Sequence, residues 1–390
     1  MDKKWWTLVA VCTGTFMLLL DVTIVIVAQP AIQSGLHASF SDVQWVLDAY
    51  ALTLASLLLT SGALADRYGR KRLFGMGLII FTVGSLLCGL AQDPLMLIEL
   101  ARICDEVGFP PGVVNIVTSS KAEPAAVLTE SPDVDCVSFT GSTAVGARIY
   151  ESGARTMKRM LLELGGKGAA LVLADGDVAK AVTALVSVWG FHSGQICTAP
   201  TRAIVHRSLY DEVVSKLAAT APMLTVGPPT DPKTVIGPVI SGAHRERVEN
   251  YVRSGPAEGA DLVVGGERPP FDKGFYVAPT LLANCTNQMT AAREEIFGPV
   301  IVAIPFDDEE EGIAIANDSV YGLYDYVFGE DTARAYEVAK RLQAGHVGIN
   351  TAQRNFEAPF GGWKMSGVGR DGGDFGLHAY TELQSVIWPG

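Results

Sequence analysis

Two side chains near the middle of this 390-residue chain have types suited to covalent catalysis. Glu163 stands in Leu162-Glu163-Leu164-Gly165-Gly166-Lys167, a carboxylate beside a glycine pair that lets a ligand approach the backbone. Cys197 follows 34 residues later, within Phe191-His-Ser-Gly-Gln195-Ile-Cys197-Thr-Ala-Pro-Thr-Arg202. A thiolate attacks a carbonyl carbon and splits one hard step into two easier ones. A carboxylate within reach then activates water to release the acyl group. Taken singly, neither residue is decisive. A glutamate is most often a surface residue, and a lone cysteine is most often a buried hydrophobe.

Such a pair needs rigid support. Val134 to Phe139 is a strand-like run ending in Thr140-Gly141-Ser142-Thr143-Ala144-Val145-Gly146. A strand followed by Gly-Ser-Thr-x-x-Gly at the start of a helix suits an anion or a dinucleotide; alone, such a turn is structural about as often as functional. Helical and strand patterns keep alternating, as in Lys180–Trp189, Ala199–Val205 and Leu209–Ala218. That alternation predicts an α/β fold with a mostly parallel sheet. Upstream, residues 100–108 have the spacing of an amphipathic helix stopped by glycine, and 109–117 read as a turn leading into a strand. The acidic run 307–311 reads as a solvated helix start, where carboxylates suit the helix dipole.

The composition divides the chain. Residues 1–98 hold six basic side chains and six acidic ones, all Asp, so the net charge of −12 sits on residues 99–390. An acidic surface argues against nucleic-acid binding, which needs a basic face. The six cysteines (12, 88, 104, 136, 197 and 285) have no metal-ligand spacing, so no metal and no disulfide framework is expected.

Taken together and in order, the motifs of residues 99–390 resemble the aldehyde dehydrogenase superfamily. They are the glutamate signature at 163, Gly-Gln-x-Cys at 197 with Arg202, and Glu294-Glu295-Ile-Phe297-Gly-Pro-Val. Asn317-Asp-Ser-Val-Tyr-Gly-Leu, Pro359-Phe-Gly-Gly-Trp-Lys-Met-Ser-Gly-Val-Gly-Arg370 and Tyr380-Thr-Glu-Leu-Gln-Ser-Val continue the series. The resemblance implies NAD or NADP as cofactor, a small aldehyde as substrate, Cys197 as nucleophile and Glu163 as general base. By the same resemblance Gly141, Ser142, Val145, Gly146, Leu164 and Gly165 lie along the cofactor. Glu295 holds the nicotinamide ribose, Phe297 packs beside the ring, and the turn at Gly361 and Gly362 is structural. The implied fold is a partial Rossmann-like cofactor domain over 99–165 and a catalytic cysteine domain over 166–365. A return and oligomerisation tail over 366–390 follows, with a homo-oligomer as the expected partner state.

Residues 1–98 have another character. Three apolar stretches, 5–29, 43–64 and 73–91, carry one, one and no charged residues. Each is long enough to cross roughly 30 Å of hydrocarbon, so three transmembrane helices are expected, with membrane contact over residues 5–91. Between the second and third lies Gly62-Ala-Leu-Ala-Asp66-Arg67-Tyr-Gly69-Arg70-Lys71-Arg72. This loop resembles the signature of the major facilitator superfamily, and Leu20-Asp21-Val22-Thr23-Ile24-Val25 resembles the first-helix motif of its drug:proton antiporters. The resemblance implies proton coupling at Asp21 and a gating loop at Asp66, Arg67, Gly69 and Arg70.

Three expectations follow. The chain lacks nearly two hundred residues that dehydrogenases of this type carry first, including an oxyanion-holding Asn and the grip on the adenosine ribose. The dehydrogenase fold is therefore expected to be truncated, with little or no activity. Positive loops belong on the cytoplasmic side, so three spans place residue 92 onward outside, away from the cytoplasm where such an enzyme normally works. The competing readings are an aldehyde-oxidising enzyme, a fragment of a membrane drug:proton antiporter, and a chimeric frame in which neither activity survives.

Overall fold

Strands covered on both faces are buried along their whole length, and three segments of this chain, Ala169–Val172, Thr280–Ala283 and Tyr324–Phe328, are buried at every residue, Thr280 and Asp325 included. A computed structural model describes residues 122–388 with the exception of position 356. The chain divides into two units, residues 1–120 and residues 121–390. Outside the described residues fall the three expected membrane helices, with Asp21, Asp66, Arg67, Gly69 and Arg70, and the helix and strand expected between 100 and 117. Among the described residues, no helix is long and apolar enough to cross a membrane.

The second unit opens with α1 (Glu123–Glu130), β1 (Cys136–Thr140), α2 (Thr143–Ala154) and β2 (Arg159–Glu163). There follow β3 (Ala169–Val172), α3 (Val178–Gly190), β4 (Arg202–His206), α4 (Arg207–Thr220) and α5 (Gly242–Ala257). Next come β5 (Asp261–Val264), β6 (Thr280–Ala283), α6 (Thr290–Arg293), β7 (Val300–Phe306) and α7 (Glu309–Asn317). The order ends with β8 (Tyr324–Phe328), α8 (Thr332–Ala339), β9 (His346–Ile349), β10 (Gly367–Val368) and α9 (Gly373–Ala379).

Two sheets result. In the small one β1 and β2 run parallel with Thr140 opposite Glu163, and β10 returns antiparallel to β2 with Gly367 opposite Glu163. The large one has the order β5-β6-β7-β4-β3-β8-β9 and is parallel except where β5 meets β6. Alternate side chains of its strands enter two cores. Leu171, Ile204 and Val327 pack with Val248, Ile313 and Val338 on one face. Ala170, Val205 and Phe328 pack with Leu185, Trp189 and Val213 on the other. The alternating pattern thus produces the α/β fold with a mostly parallel sheet.

Side-chain caps set the helix starts. The Ser142 hydroxyl accepts from the Val145 N–H, Asp177 accepts from Lys180, and Asp308 accepts from Glu311. The acidic run at 307–311 is therefore the start of α7. Two strands begin later than their apolar runs. The Val134 carbonyl accepts from the Lys158 ammonium at 2.7 Å, so pairing starts at Cys136. A tight turn through Pro200, closed by Thr201 N–H to the Ala199 carbonyl at 2.8 Å, delays β4 to Arg202.

Candidate active site

The chain leaves the small sheet at Glu163 and enters the large one at Ala169, so the residues between them form a seam. The glycine pair in that seam is dictated by close approach. A Cβ on Gly165 would collide with the Glu295 carboxylate, and one on Gly166 would collide with the Cys197 carbonyl. The Gly166 N–H donates to Glu295 Oε1 at 2.9 Å. Glu163, Glu295 and Cys197 are thereby gathered around one backbone crossing, at the carboxyl end of β2 and the amino ends of β4 and β7.

Cys197 sits on a tightly specified loop. His192, Ser193 and Gly194 are all left-handed, with φ of 50°, 55° and 75°. That conformation is uncommon for the two non-glycine residues and must be held by its surroundings. The Ser193 hydroxyl donates to the Gly237 carbonyl at 2.9 Å. The Gln195 amide accepts from the Ile240 N–H at 2.9 Å and donates to the His192 carbonyl at 3.0 Å. Beyond the thiol, the Tyr326 hydroxyl donates to the Thr198 carbonyl at 2.7 Å. Arg202 ends the loop as a buried anchor. Its guanidinium donates to the carbonyls of Lys167, Ile315 and Ala316 and to Asn287 Oδ1, at 2.9–3.1 Å.

The electrostatics of the pair follow from burial. Neither Glu163 oxygen has a hydrogen-bond partner among the described residues. Burial pushes its carboxyl up to about 8; Asp371 adds to the shift, and Arg370 and Arg354 oppose it. The Cys197 thiol is pushed up to about 11, first by burial and then by Glu295, with Arg354 opposing and Glu163 adding. Each of these charges is felt across one shared environment. Burial also raises Glu295, while the Gly166 N–H and Lys167 oppose. Lys167 is almost wholly buried, and its ammonium has no hydrogen-bond partner among the described residues. Burial, helped by Arg202, brings it down to about 7.

The other expected site residues fall into two groups. Around the end of β2, Gly141 donates its N–H to the Glu163 carbonyl at 3.0 Å, and Ser142 caps α2. Gly146 packs against the buried Leu164 side chain, and the Gly165 N–H donates to Thr143 Oγ1 at 3.3 Å. Val145 lies on the exposed side of α2. Phe297 belongs to the Cys197 side: it has φ of 58°, its carbonyl is bound by the His244 ring at 2.7 Å, and Gly298 beside it packs on Gly194. Gly361 stands closer to the chemistry than a structural turn requires, since a Cβ there would lie 2.9 Å from Glu163 Oε1. Lys167, Arg354 and Asp371 join the site without having been singled out. Lys167 had a signal, a lysine heading a fully apolar strand; Arg354, in a loop without periodicity, had none.

Residues 90–386 match the model of the aldehyde dehydrogenase family. The chain belongs to that family. A second match, to the Major Facilitator Superfamily, covers residues 11–120. DhaS of Bacillus subtilis (strain 168), which bears an aldehyde dehydrogenase name, is 43% identical over 297 residues, 76% of this chain and 60% of that protein. Among solved structures, the Mycobacterium tuberculosis aldehyde dehydrogenase complexed with NAD+ is 44% identical with a TM-score of 0.73. It is covered over 62% of its length by 76% of this chain. A mutant of aldehyde dehydrogenase C from Pseudomonas syringae, complexed with NAD+ and octanal, is 41% identical with a TM-score of 0.71. That match covers 75% of this chain and 60% of the other. The chain thus spans about three-fifths of the length of these aldehyde dehydrogenases.

Proposed function

We propose that residues 99–390 carry the chemistry of aldehyde oxidation to a carboxylic acid, with Cys197 as nucleophile and Glu163 as general base. The observation that carries this reading is the seam, where the glycine pair leaves room for both the Cys197 carbonyl and the Glu295 carboxylate beside Glu163. The Cys197 sulfur attacks the aldehyde carbon and forms a thiohemiacetal. Loss of hydride from that carbon leaves a thioester on the sulfur. Glu163 takes a proton from water, the hydroxide attacks the thioester, and the acid leaves with the thiolate restored. A base near 8 is matched to work close to neutral pH.

The chain offers a fitting place for NAD. The start of the 12-residue α2 is capped by Ser142 and presents Val145 to solvent, and the Glu295 carboxylate is fixed by the Gly166 N–H. Gly141, Ser142, Val145, Gly146, Leu164, Gly165, Glu295 and Phe297 would hold the cofactor, which when bound supplies the hydride acceptor. NAD+ in the two solved relatives supports NAD over NADP.

Purified protein given an aldehyde and NAD is assayed for reduced nicotinamide: little or none is expected, and any rate should be abolished by Cys197→Ala. Because the base must be unprotonated, the rate rises with pH through about 8 and is lost below it. A rate that survives Cys197→Ala sinks the assignment.

For residues 1–98 we infer a three-span membrane piece of a major facilitator, supported by the family match over 11–120. The chain should stay with membranes after alkaline carbonate washing, and its release into the supernatant would contradict the spans. The domain limits at 98, 165 and 365 belong to the same reading. So does homo-oligomerisation through the tail, whose Leu383, Val386, Ile387 and Trp388 are exposed.

A further inference from the structure

Of residues 164–168, only Lys167 is charged, and the proposed chemistry does not use it. The residue is 2% exposed, and its ammonium has no hydrogen-bond partner among the described residues. A buried cation in that state costs stability that an apolar side chain of similar length would not. Its surroundings supply a reason for it.

The backbone on both sides of the lysine is tied to the site. The Gly166 N–H before it donates to Glu295 Oε1 at 2.9 Å, and its own carbonyl accepts from Arg202 Nε at 3.0 Å. The other Glu295 oxygen lies against Gly165, where a Cβ would collide with it. Ala169 and Leu171 enter the core that also holds Cys285, Ala291, Ala292 and Ile296, the last of these next to Glu295. The Lys167 ammonium accordingly feels Arg202 on β4, Glu295 and Glu294 beyond α6, and Cys285 beyond β6.

Glu295 needs such a neighbour. Burial favours its protonated form, and the Gly166 N–H, Lys167 and Arg247 oppose that bias. Arg247 reaches it from α5, donating to the Glu295 carbonyl at 2.9 Å, but it is exposed and screened by water. Cys197 and Tyr321 are the other titratable groups that feel Glu295. The buried lysine escapes that screening. Because it makes no hydrogen bond to Glu295, it favours the charge without occupying an acceptor position. An ionised carboxylate accepts from hydroxyls through both oxygens, whereas a protonated one loses part of that capacity.

We propose that Lys167 is a positioning residue, whose buried ammonium keeps Glu295 ionised at the seam so that the carboxylate accepts the ribose hydroxyls of NAD. The ribose part rests on the proposed cofactor role of Glu295; the coupling of the two side chains does not. Below about pH 7 Lys167 carries its charge and acts on Glu295; well above that pH it is neutral, and Glu295 ionises unaided. The consequences of removing the lysine are therefore confined to the acid side, which a packing role would not produce.

The coupling is read without cofactor, on the full chain in mild detergent. Urea unfolding of the unchanged chain, Lys167→Met, Glu295→Gln and the double variant, at about pH 6 and about pH 9, completes a double-mutant cycle. The folding equilibrium constants should show a coupling of about tenfold at the lower pH, equivalent to one unit of pKa, and none at the higher. No coupling at the lower pH overturns the proposal, and so does a coupling of the same size at both.

Cofactor affinity is read by quenching of tryptophan fluorescence with NAD. Lys167→Met should raise Kd about tenfold at the lower pH and leave it unchanged at the higher, and it should add nothing to the loss in Glu295→Gln. Equal weakening at both pH values refutes the charge role. An affinity of the unchanged chain that already falls between the higher and the lower pH refutes it too, whether or not the variants fold. If the unchanged chain binds no NAD yet shows the coupling, the cofactor role of Glu295 fails and the hold of Lys167 on it stands.

Discussion

Every residue of β3, β6 and β8 in the large sheet is buried, whereas no residue of β1 in the small sheet is. β2 is intermediate, exposed at Arg159 and buried only from Leu161 to Glu163. The large sheet is closed on both faces by helices and holds its shape through its own core. The small sheet is firm only where β2 runs into the seam. The candidate nucleophile is therefore mounted on the rigid body and the candidate base on the last secure residue of the thin one. Their alignment therefore depends on residues 164–168 more than on either sheet.

The largest break is expected within the rigid body. Arg202→Ala would leave three backbone carbonyls and Asn287 without their donor, and should cost about 3–5 kcal/mol in urea unfolding. At the seam, Gly166→Ala pushes against the Cys197 carbonyl. It should lower turnover about 100-fold by misplacing the thiol while moving stability less than Arg202→Ala does.

Lys167→Met should have the opposite sign, raising stability by on the order of 2 kcal/mol at neutral pH. The lysine is brought from 10.5 to about 7 by folding, so between those values the unfolded chain binds more protons and stability rises with pH. Methionine should flatten that slope, as urea midpoints across the range will read. The smallest effect belongs to the thin sheet, where Ser142→Ala removes the cap of α2 at a cost of about 1 kcal/mol. Hydrogen exchange sharpens the contrast without any substitution: β1 amides should exchange well before those of β3 and β4.

Of the large sheet, the sequence singled out one strand, the run at Ala199–Val205, which became β4 (Arg202–His206). Lys180–Trp189 became α3 with two residues added at its start, since Asp177 caps it. The starts of β1 and β4 were less legible. Their apolar runs begin earlier, and a lysine from 24 residues downstream or a turn at Pro200 decides where pairing can start. Cys197, Glu163 and Glu295, which the fold gathers at the seam, were singled out by their motifs and the family resemblance. Asp371 could not. It reaches Glu163 because its backbone pairs with Phe360 at 2.5 and 2.6 Å, a contact made across the return of the chain. The close approach of Gly361 to Glu163 is equally a product of tertiary structure.

Trapping the acyl group tests the placement of nucleophile and base across the seam. Glu163→Gln keeps the shape of the side chain but removes the base, so the full-length variant given an aldehyde and NAD should accumulate one acyl group on Cys197, located by peptide mass spectrometry. It should also lose the drop in stability that Glu163 imposes as pH rises from 4.5 towards about 8, because the folded carboxyl holds its proton longer than the unfolded one. An acyl group on Cys285 or Cys136 instead, or turnover in Glu163→Gln equal to that of the unchanged chain, would contradict the placement of nucleophile and base across the seam.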